Sequence, residues 1–210
     1  MHNIIKDLNW RYATKKFDSS KKINVQKFDV IKESLRLAPT SYGLQPLKFI
    51  VVESSKLRKK LHLSSYNQAQ IVDASHLLII CSYRDINETH VDEYIENVGS
   101  TRGVPQDMIK GYSDFIKLTV GNMADDQKLQ WNKNQAYIAL GQLMHTCATL
   151  KVDAAPMEGF NGEEYDKLLD LHSQNLTASL VVPMGYRHAE DQTQHQQKVR
   201  KSQDDLFITL

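Results

Sequence analysis

Leu77-Leu78-Ile79-Ile80-Cys81 is an unbroken apolar run, with no polar residue at alternate positions. A strand with one wet face alternates, so this run reads as a strand buried on both faces. Other strands are expected around it: Lys48-Phe49-Ile50-Val51-Val52, bounded by Glu53-Ser54-Ser55, then Val152 to Ala155 and Leu176 to Pro183. Helical patterns separate them. Val25 to Ala38 places Phe28, Ile31, Leu35 and Ala38 at helical spacing and stops at Pro39. Val91 to Gly99, Gln106 to Val120 and Glu163 to Leu171 are further helices. In Gln127 to Leu150, residues Ala136, Leu140, Leu143, Cys147 and Leu150 form one stripe, with Tyr137 and Met144 beside it. A stripe this wide suits a central core helix or a subunit interface. Strands separated by long helices predict an α/β or α+β sandwich, with too few strands for a (β/α)₈ barrel.

The chain has 210 residues, enough for one sizeable core, and no repeat or linker divides it, so 1–210 is expected to be a single domain. Apolar residues make up 41% and charged residues 24%, with a net charge of +1. That balance argues against a general nucleic-acid binder. Neither a secretory signal nor a membrane span is visible, and the cytoplasm is the expected compartment. Cys81 and Cys147 read as buried free thiols. A polar tail from Tyr186 to Asp205 ends in Leu206-Phe207-Ile208-Thr209-Leu210, a strand-like apolar patch suited to docking on a partner subunit.

Several chemistries lack their apparatus. None of the 9 glycines forms Gly-x-Gly, which leaves no Rossmann fingerprint and no Walker loop. His-Glu-x-x-His, Cys-x-x-Cys and Gly-x-Ser-x-Gly are also absent, and no metal site is expected among the scattered histidines. Chemistry carried by an organic cofactor remains. Four segments need a joint account. Arg11-Tyr12-Ala13-Thr14-Lys15-Lys16-Phe17-Asp18 follows a short helix pattern at Ile4, Ile5 and Leu8. It is either a solvated basic loop or a holder of an anion such as a phosphate. Lys198-Val199-Arg200 is a second basic cluster. Pro39-Thr40-Ser41-Tyr42-Gly43-Leu44-Gln45-Pro46 is a rigid connector with hydroxyls. Ala155-Pro156-Met157-Glu158-Gly159-Phe160 reads, alone, as a strand-ending turn.

Together these segments resemble the nitroreductase family of FMN-dependent oxidoreductases. The likeness is greatest to the branch with Arg-Tyr-Ala-Thr-Lys-Lys-Phe-Asp, Ser-Tyr-Gly-Leu-Gln-Pro and Pro-Met-Glu-Gly-Phe. It runs from about Ile5 to the C-terminus in the family's order, and Val72-Asp73-Ala74-Ser75-His76 and Gln135-Ala136-Tyr137-Ile138-Ala139-Leu140-Gly141 match too. The resemblance implies an α+β three-layer sandwich, with a mostly antiparallel central sheet between helices and a C-terminal strand reaching onto the partner of a homodimer. It implies that Arg11, Lys198 and Arg200 hold the FMN phosphate, that Tyr12 and Ala13 line the phosphate and ribityl side, and that Lys15 reaches N1 and O2. Asn67 and Gln70 would meet the ring's polar rim. Pro156, Met157, Glu158 and Gly159 would pass along one face, with the Glu158 N–H directed at N5. Pro39, Thr40, Ser41 and Gly43 would contact the FMN bound mainly by the other subunit.

No side chain is then expected to act as nucleophile. NADH or NADPH would give hydride to N5, and a nitroaromatic, quinone or similar electron-poor acceptor would take it in a ping-pong cycle. Two rival readings stay open. One is a related flavoenzyme with another acceptor: a flavin reductase, ene reductase or dehalogenase, set by a lid between Asp85 and Met123. The other is a non-catalytic flavin-binding module. The chain departs from relatives at Gln70, where some carry lysine, at Gly43, where others have asparagine, and at Leu47, where an aromatic is common.

Overall fold

The apolar run lies inside the strand His76–Tyr83, in the interior of a four-stranded sheet of the computed structural model, which describes residues 2–210. In chain order the elements are α1 (Asn3–Trp10), α2 (Val25–Arg36), β1 (Leu47–Val51), α3 (Ser55–Leu63), α4 (Gln70–Asp73) and β2 (His76–Tyr83). Then come α5 (Glu88–Arg102), α6 (Gln106–Gly121), α7 (Asp125–Leu150), β3 (Asp153–Ala154), α8 (Gly162–Leu168), β4 (Leu176–Gly185) and α9 (Gln203–Leu206). The sheet order is β1-β2-β4-β3, and each ladder is antiparallel.

Alternation along β2 sorts its side chains between two cores. Leu78 and Ile80 pack with Ile31 and Leu35 of α2 and with Ala139, Leu143 and Cys147 of α7. Leu77, Ile79 and Cys81 pack with Leu61 of α3, Ile71 of α4, Tyr165 of α8 and Leu171. Ile79 and Ile80 are neighbours of opposite direction, yet both are 0% exposed. That is possible only with a layer on each face, and each such side chain contributes about 1.5–3 kcal/mol on burial. The chain is thus an α+β three-layer sandwich.

Packing differs from the sequence-based expectations in several places. The inner stripe of α7 is Ala136, Ala139, Leu143, Cys147 and Ala148, whereas Leu140, Met144 and Leu150 are half-buried and Tyr137 is 46% exposed. No helix is expected from the sequence at Ser55–Leu63, but Ser54 caps it by accepting the Leu57 N–H at 3.3 Å, and Leu61 enters the core. The segment Leu206 to Leu210 forms no strand in the single chain: α9 takes up Leu206, and Phe207, Ile208 and Leu210 are exposed. Asp85 to Met123, expected as a lid, is largely the α5–α6 helical hairpin. Its own core of Ile86, Val91, Ile95, Ile116 and Val120 meets Tyr42 and Trp131. Among the described residues no helix is long and apolar enough to cross a membrane.

A buried carboxylate ties α8 to β4. Asp166, 6% exposed, accepts from the Ala178 N–H and the Thr177 hydroxyl, both at 2.7 Å, and lies 3.0 Å from His172 Nε2. Asp166→Ala strands the buried Ala178 N–H. It is expected to cost about 2–3 kcal/mol in urea unfolding of the cofactor-free protein, with the slope unchanged. A loss within experimental error would show that water satisfies these donors.

Candidate functional site

α1 ends where its last main-chain bond, Arg11 N–H to Asp7 O at 3.2 Å, gives way to extended backbone at Arg11. The helix is docked on the end of α7 by the Asp7–Lys151 ion pair, with Lys151 also over the Trp10 ring at 5.0 Å. From there the chain runs along the β3 edge of the sheet. Ala13 bridges Ala154 in parallel, and Lys16 to Asp18 then run antiparallel to Tyr186 to His188, with Asp18 N–H to Tyr186 O at 2.8 Å and His188 N–H to Lys16 O at 2.9 Å. This pairing brings the N-terminal basic segment against the C-terminal tail.

Two carboxylates that the sequence does not single out hold the arrangement. Asp191, 3% exposed, accepts from the main-chain N–H groups of Lys15 (2.8 Å) and Lys16 (3.1 Å), from the Tyr12 hydroxyl (3.0 Å) and from the Thr193 N–H (3.0 Å). Burial opposes its ionisation, but the main-chain donors and the Tyr12 hydroxyl outweigh burial and hold the carboxyl below the usual range. Burial and the Asp191 carboxylate together push the Tyr12 hydroxyl well up. Asp153, 3% exposed, takes two bonds from the Arg187 guanidinium, at 2.9 and 2.6 Å, and the Arg187 N–H at 2.8 Å. The same guanidinium lies 4.2 Å from the Trp10 ring centre and 4.5 Å from that of Tyr12. The only sequence signal for Asp191 is its cap position before the turn Gln192–His195.

Arg11, Lys198 and Arg200 meet at the wall of a cavity of about 310 Å³, together with Tyr12, Ala13 and Thr193. Lys198 Nζ donates to the Arg11 carbonyl and Arg200 bonds the Val199 carbonyl; among the described residues the buried Arg11 Nε has no partner. Among the described residues, no carboxylate pairs with any of the three. Burial and the neighbouring Arg200 hold the Arg11 guanidinium below its ordinary value. Burial, then Arg11 and Arg200, lower the Lys198 ammonium. Three cations at one cavity wall, with Arg11 and Lys198 lowered by burial and by like charge, suit the binding of an anion such as a phosphate.

The Glu158 segment continues the same edge. Ala155 N–H bonds Pro183 O at 3.0 Å, and Met157 exchanges two bonds with Val181 at 2.8 and 3.1 Å. Residues 155 and 157 therefore face β4, and residues 154, 156 and 158 face outward. Ala154 bridges Ala13, Pro156 has no donor, and the Glu158 N–H is the donor left pointing off the sheet edge. Gly159 O accepts from Gln68 Nε2 at 2.9 Å, which places the loop bearing Asn67, and the start of α4 at Gln70, beside this segment. The Gln70 side chain, 8% exposed, has no hydrogen-bond partner among the described residues. Lys15 is exposed and its ammonium makes no ion pair among them.

The fourth segment is not brought to this place. Pro39, Thr40, Ser41 and Gly43 precede β1, at the opposite edge of the sheet. Ser41 N–H is held by Gln135 Oε1 of α7 at 2.9 Å, and Thr40 Oγ1 accepts the Gln45 N–H at 3.0 Å. Tyr42 and Gly43 have φ of 56° and 78°. A Cβ on Gly43 would stand 2.9 Å from the Tyr94 hydroxyl oxygen, so Tyr94 fills the room that a larger side chain would need. Leu47 is 9% exposed and lines a cavity of about 480 Å³ beside this loop.

The model of the nitroreductase family matches residues 8–186. A provisionally named NAD(P)H nitroreductase of Staphylococcus saprophyticus is 34% identical over 216 residues, covering 99% of this chain and 96% of the relative. The major NAD(P)H-flavin oxidoreductase of Aliivibrio fischeri is 29% identical, covering 100% and 99%. Among solved structures, a provisionally named nitroreductase of Exiguobacterium sibiricum in complex with FMN superposes with a TM-score of 0.84. It is 17% identical and the match covers 100% of this chain and 98% of that one.

Proposed function

The chain belongs to the nitroreductase family, and on that premise we propose that it is an FMN-dependent oxidoreductase taking hydride from NADH or NADPH and passing it to electron-poor acceptors such as nitroaromatics or quinones. The observation that carries this reading is the Arg11–Lys198–Arg200 cluster, three cations at one cavity with no carboxylate among its described lining residues. A phosphate there relieves their mutual repulsion and gives the buried Arg11 Nε an acceptor.

Bound FMN supplies the redox chemistry, accepting and delivering hydride at N5. The chain's part is binding, orientation and charge. Tyr12 and Ala13 line the phosphate and ribityl side, held in place by Asp191 and by the Ala13–Ala154 bridge. Lys15 offers positive charge to N1 and O2, where reduction adds negative charge, and Asn67 and Gln70 offer polar groups to the rim. Pro156, Met157 and Gly159 would hold one face of the ring, and the outward Glu158 N–H would be the donor offered to N5. With no separate nicotinamide domain in the chain, donor and acceptor would share one face of the bound flavin in turn, a ping-pong order.

Pro39, Thr40, Ser41 and Gly43 lie at the opposite sheet edge, so they reach an FMN only when a second copy brings its loop alongside. This placement supports a homodimer, in which the exposed Leu206, Phe207, Ile208 and Leu210 of each arm would add to the edge strand β1 of the other. Removing residues 206–210 is expected to raise the dimer dissociation constant at least tenfold in analytical ultracentrifugation. An unchanged constant would place the contact elsewhere.

Purified protein is expected to be yellow, or to become yellow with added FMN, and to bleach anaerobically with NADH or NADPH. Colourless protein that takes up no FMN rules the reading out. Protein that binds FMN but is not reduced by either nicotinamide is a flavin-binding module without this activity.

A further inference from the structure

Tyr137 lies on α7 in the matched Gln135–Gly141 stretch, where neither the core nor the cation cluster uses it. Its ring is 46% exposed, and its hydroxyl donates to Glu158 Oε1. That hydrogen bond, followed by burial, raises the Tyr137 hydroxyl above its ordinary value, so it stays a protonated donor at neutral pH. The partner residue is the one whose main-chain N–H leaves the sheet edge. Beyond Met157 the sheet gives this segment no further ladder, and what fixes it next is Gln68 Nε2 on Gly159 O at 2.9 Å and Asn161 N–H on Ser64 O at 2.8 Å. Glu158 itself is held from outside its own segment by Tyr137.

We propose that Tyr137 is a positioning residue: its hydroxyl fixes the Glu158 carboxylate, and through it the direction of the Glu158 N–H toward the hydride-carrying edge of the flavin. The inference rests on the FMN reading above. α7 is anchored by its buried face, with Ala136, Ala139 and Leu143 all 0% exposed, so the hydroxyl is presented from a rigid element. A second tie, Gln68, shares the task from the α3–α4 loop. Two ties from different elements fix an orientation that one would leave free to rotate.

The test uses Tyr137→Phe, which keeps the ring and loses only the hydroxyl, together with Gln68→Ala and the double variant. In the cofactor-free protein, the ¹⁵N order parameter of the Glu158 amide is expected to fall from about 0.85 toward 0.6 in the double variant and part of the way in Tyr137→Phe. FMN affinity should stay within about twofold, since the phosphate contacts are untouched. kcat should fall about tenfold with both nicotinamides at unchanged KM, the signature of misplacement rather than lost binding. An unchanged order parameter in Tyr137→Phe overturns the proposal. So does a fall in order parameter with kcat unchanged, which would make the tie purely structural. Wild-type protein that binds no FMN overturns the cofactor reading itself, and that failure is seen before any variant is made.

Discussion

Arg11→Ala is expected to weaken FMN binding about 10- to 150-fold, the loss of roughly 1.5–3 kcal/mol of charged hydrogen bonding to a phosphate. Arg200 is exposed and, among the described residues, bonds only its neighbour's carbonyl, so Arg200→Ala should cost only a few-fold, and the double variant about 30- to 1000-fold. The stability of the cofactor-free protein separates this reading from a structural one. Arg11, Lys198 and Arg200 repel one another with no carboxylate between them, so removing the Arg200 charge should slightly raise the cofactor-free melting temperature while it lowers FMN affinity. Opposite signs are expected of an anion site, whereas a structural cluster loses both together. Affinity should also fall with added salt, because the cluster is only partly buried. Isothermal titration with FMN, beside thermal melts without it, checks each point; FMN affinity unchanged in both single variants sinks the phosphate clamp.

Asp191→Ala is expected to have the largest effect on the fold of the site, about 3–5 kcal/mol. It removes one carboxylate that accepts the Lys15 and Lys16 N–H groups, the Tyr12 hydroxyl and the Thr193 N–H. FMN binding should be lost with it, because the N-terminal and C-terminal jaws of the cation cluster are joined through this residue. Asp191→Asn keeps an acceptor and should cost less. The pH dependence has a fixed sign. Asp191 is held below its ordinary value of 3.8 in the folded chain, so its contribution is present above that value and is lost as pH falls through the folded one. The tail should therefore loosen only below about pH 4, seen as faster proteolysis after Tyr186 and a change in Trp10 fluorescence. A tail that stays protected in Asp191→Ala at neutral pH would show that the Asp153–Arg187 pair suffices alone.

The doubly buried strand was legible because β2 gives the same signal on both faces, and Ile79 and Ile80 end in different cores as that signal requires. α7 was legible in position but not in which side faces out. Leu140 and Tyr137 satisfy the helical period as well as Leu143 does, and only the packing of α2 and the sheet selects among them. α3 carries many cations, and one buried leucine, Leu61, with Leu57 half-buried beside it, is too little to stand out from a loop.

The candidate site divides in the same way. Arg11, Lys15, Pro156 to Gly159, Lys198 and Arg200 belong to short contiguous segments, and the resemblance of those segments, in order, to the nitroreductase family is what singled them out. What joins them was not visible. Asp153 and Arg187 are 34 residues apart, and Tyr12 and Asp191 are 179 apart. A carboxylate in a polar tail looks the same in sequence whether it is solvated or buried under four donors. The sequence pattern by itself determined a layered α/β or α+β sandwich around a doubly buried strand, because that follows from local periodicity, whereas the polar groups offered to a flavin were named by the family resemblance. The tertiary structure alone decided that Arg11, Lys198 and Arg200 share one cavity, that the Glu158 N–H leaves the sheet edge, and that Pro39 to Gly43 stand at the far edge. Each of these depends on strand order and on long-range carboxylate contacts, which no local period encodes.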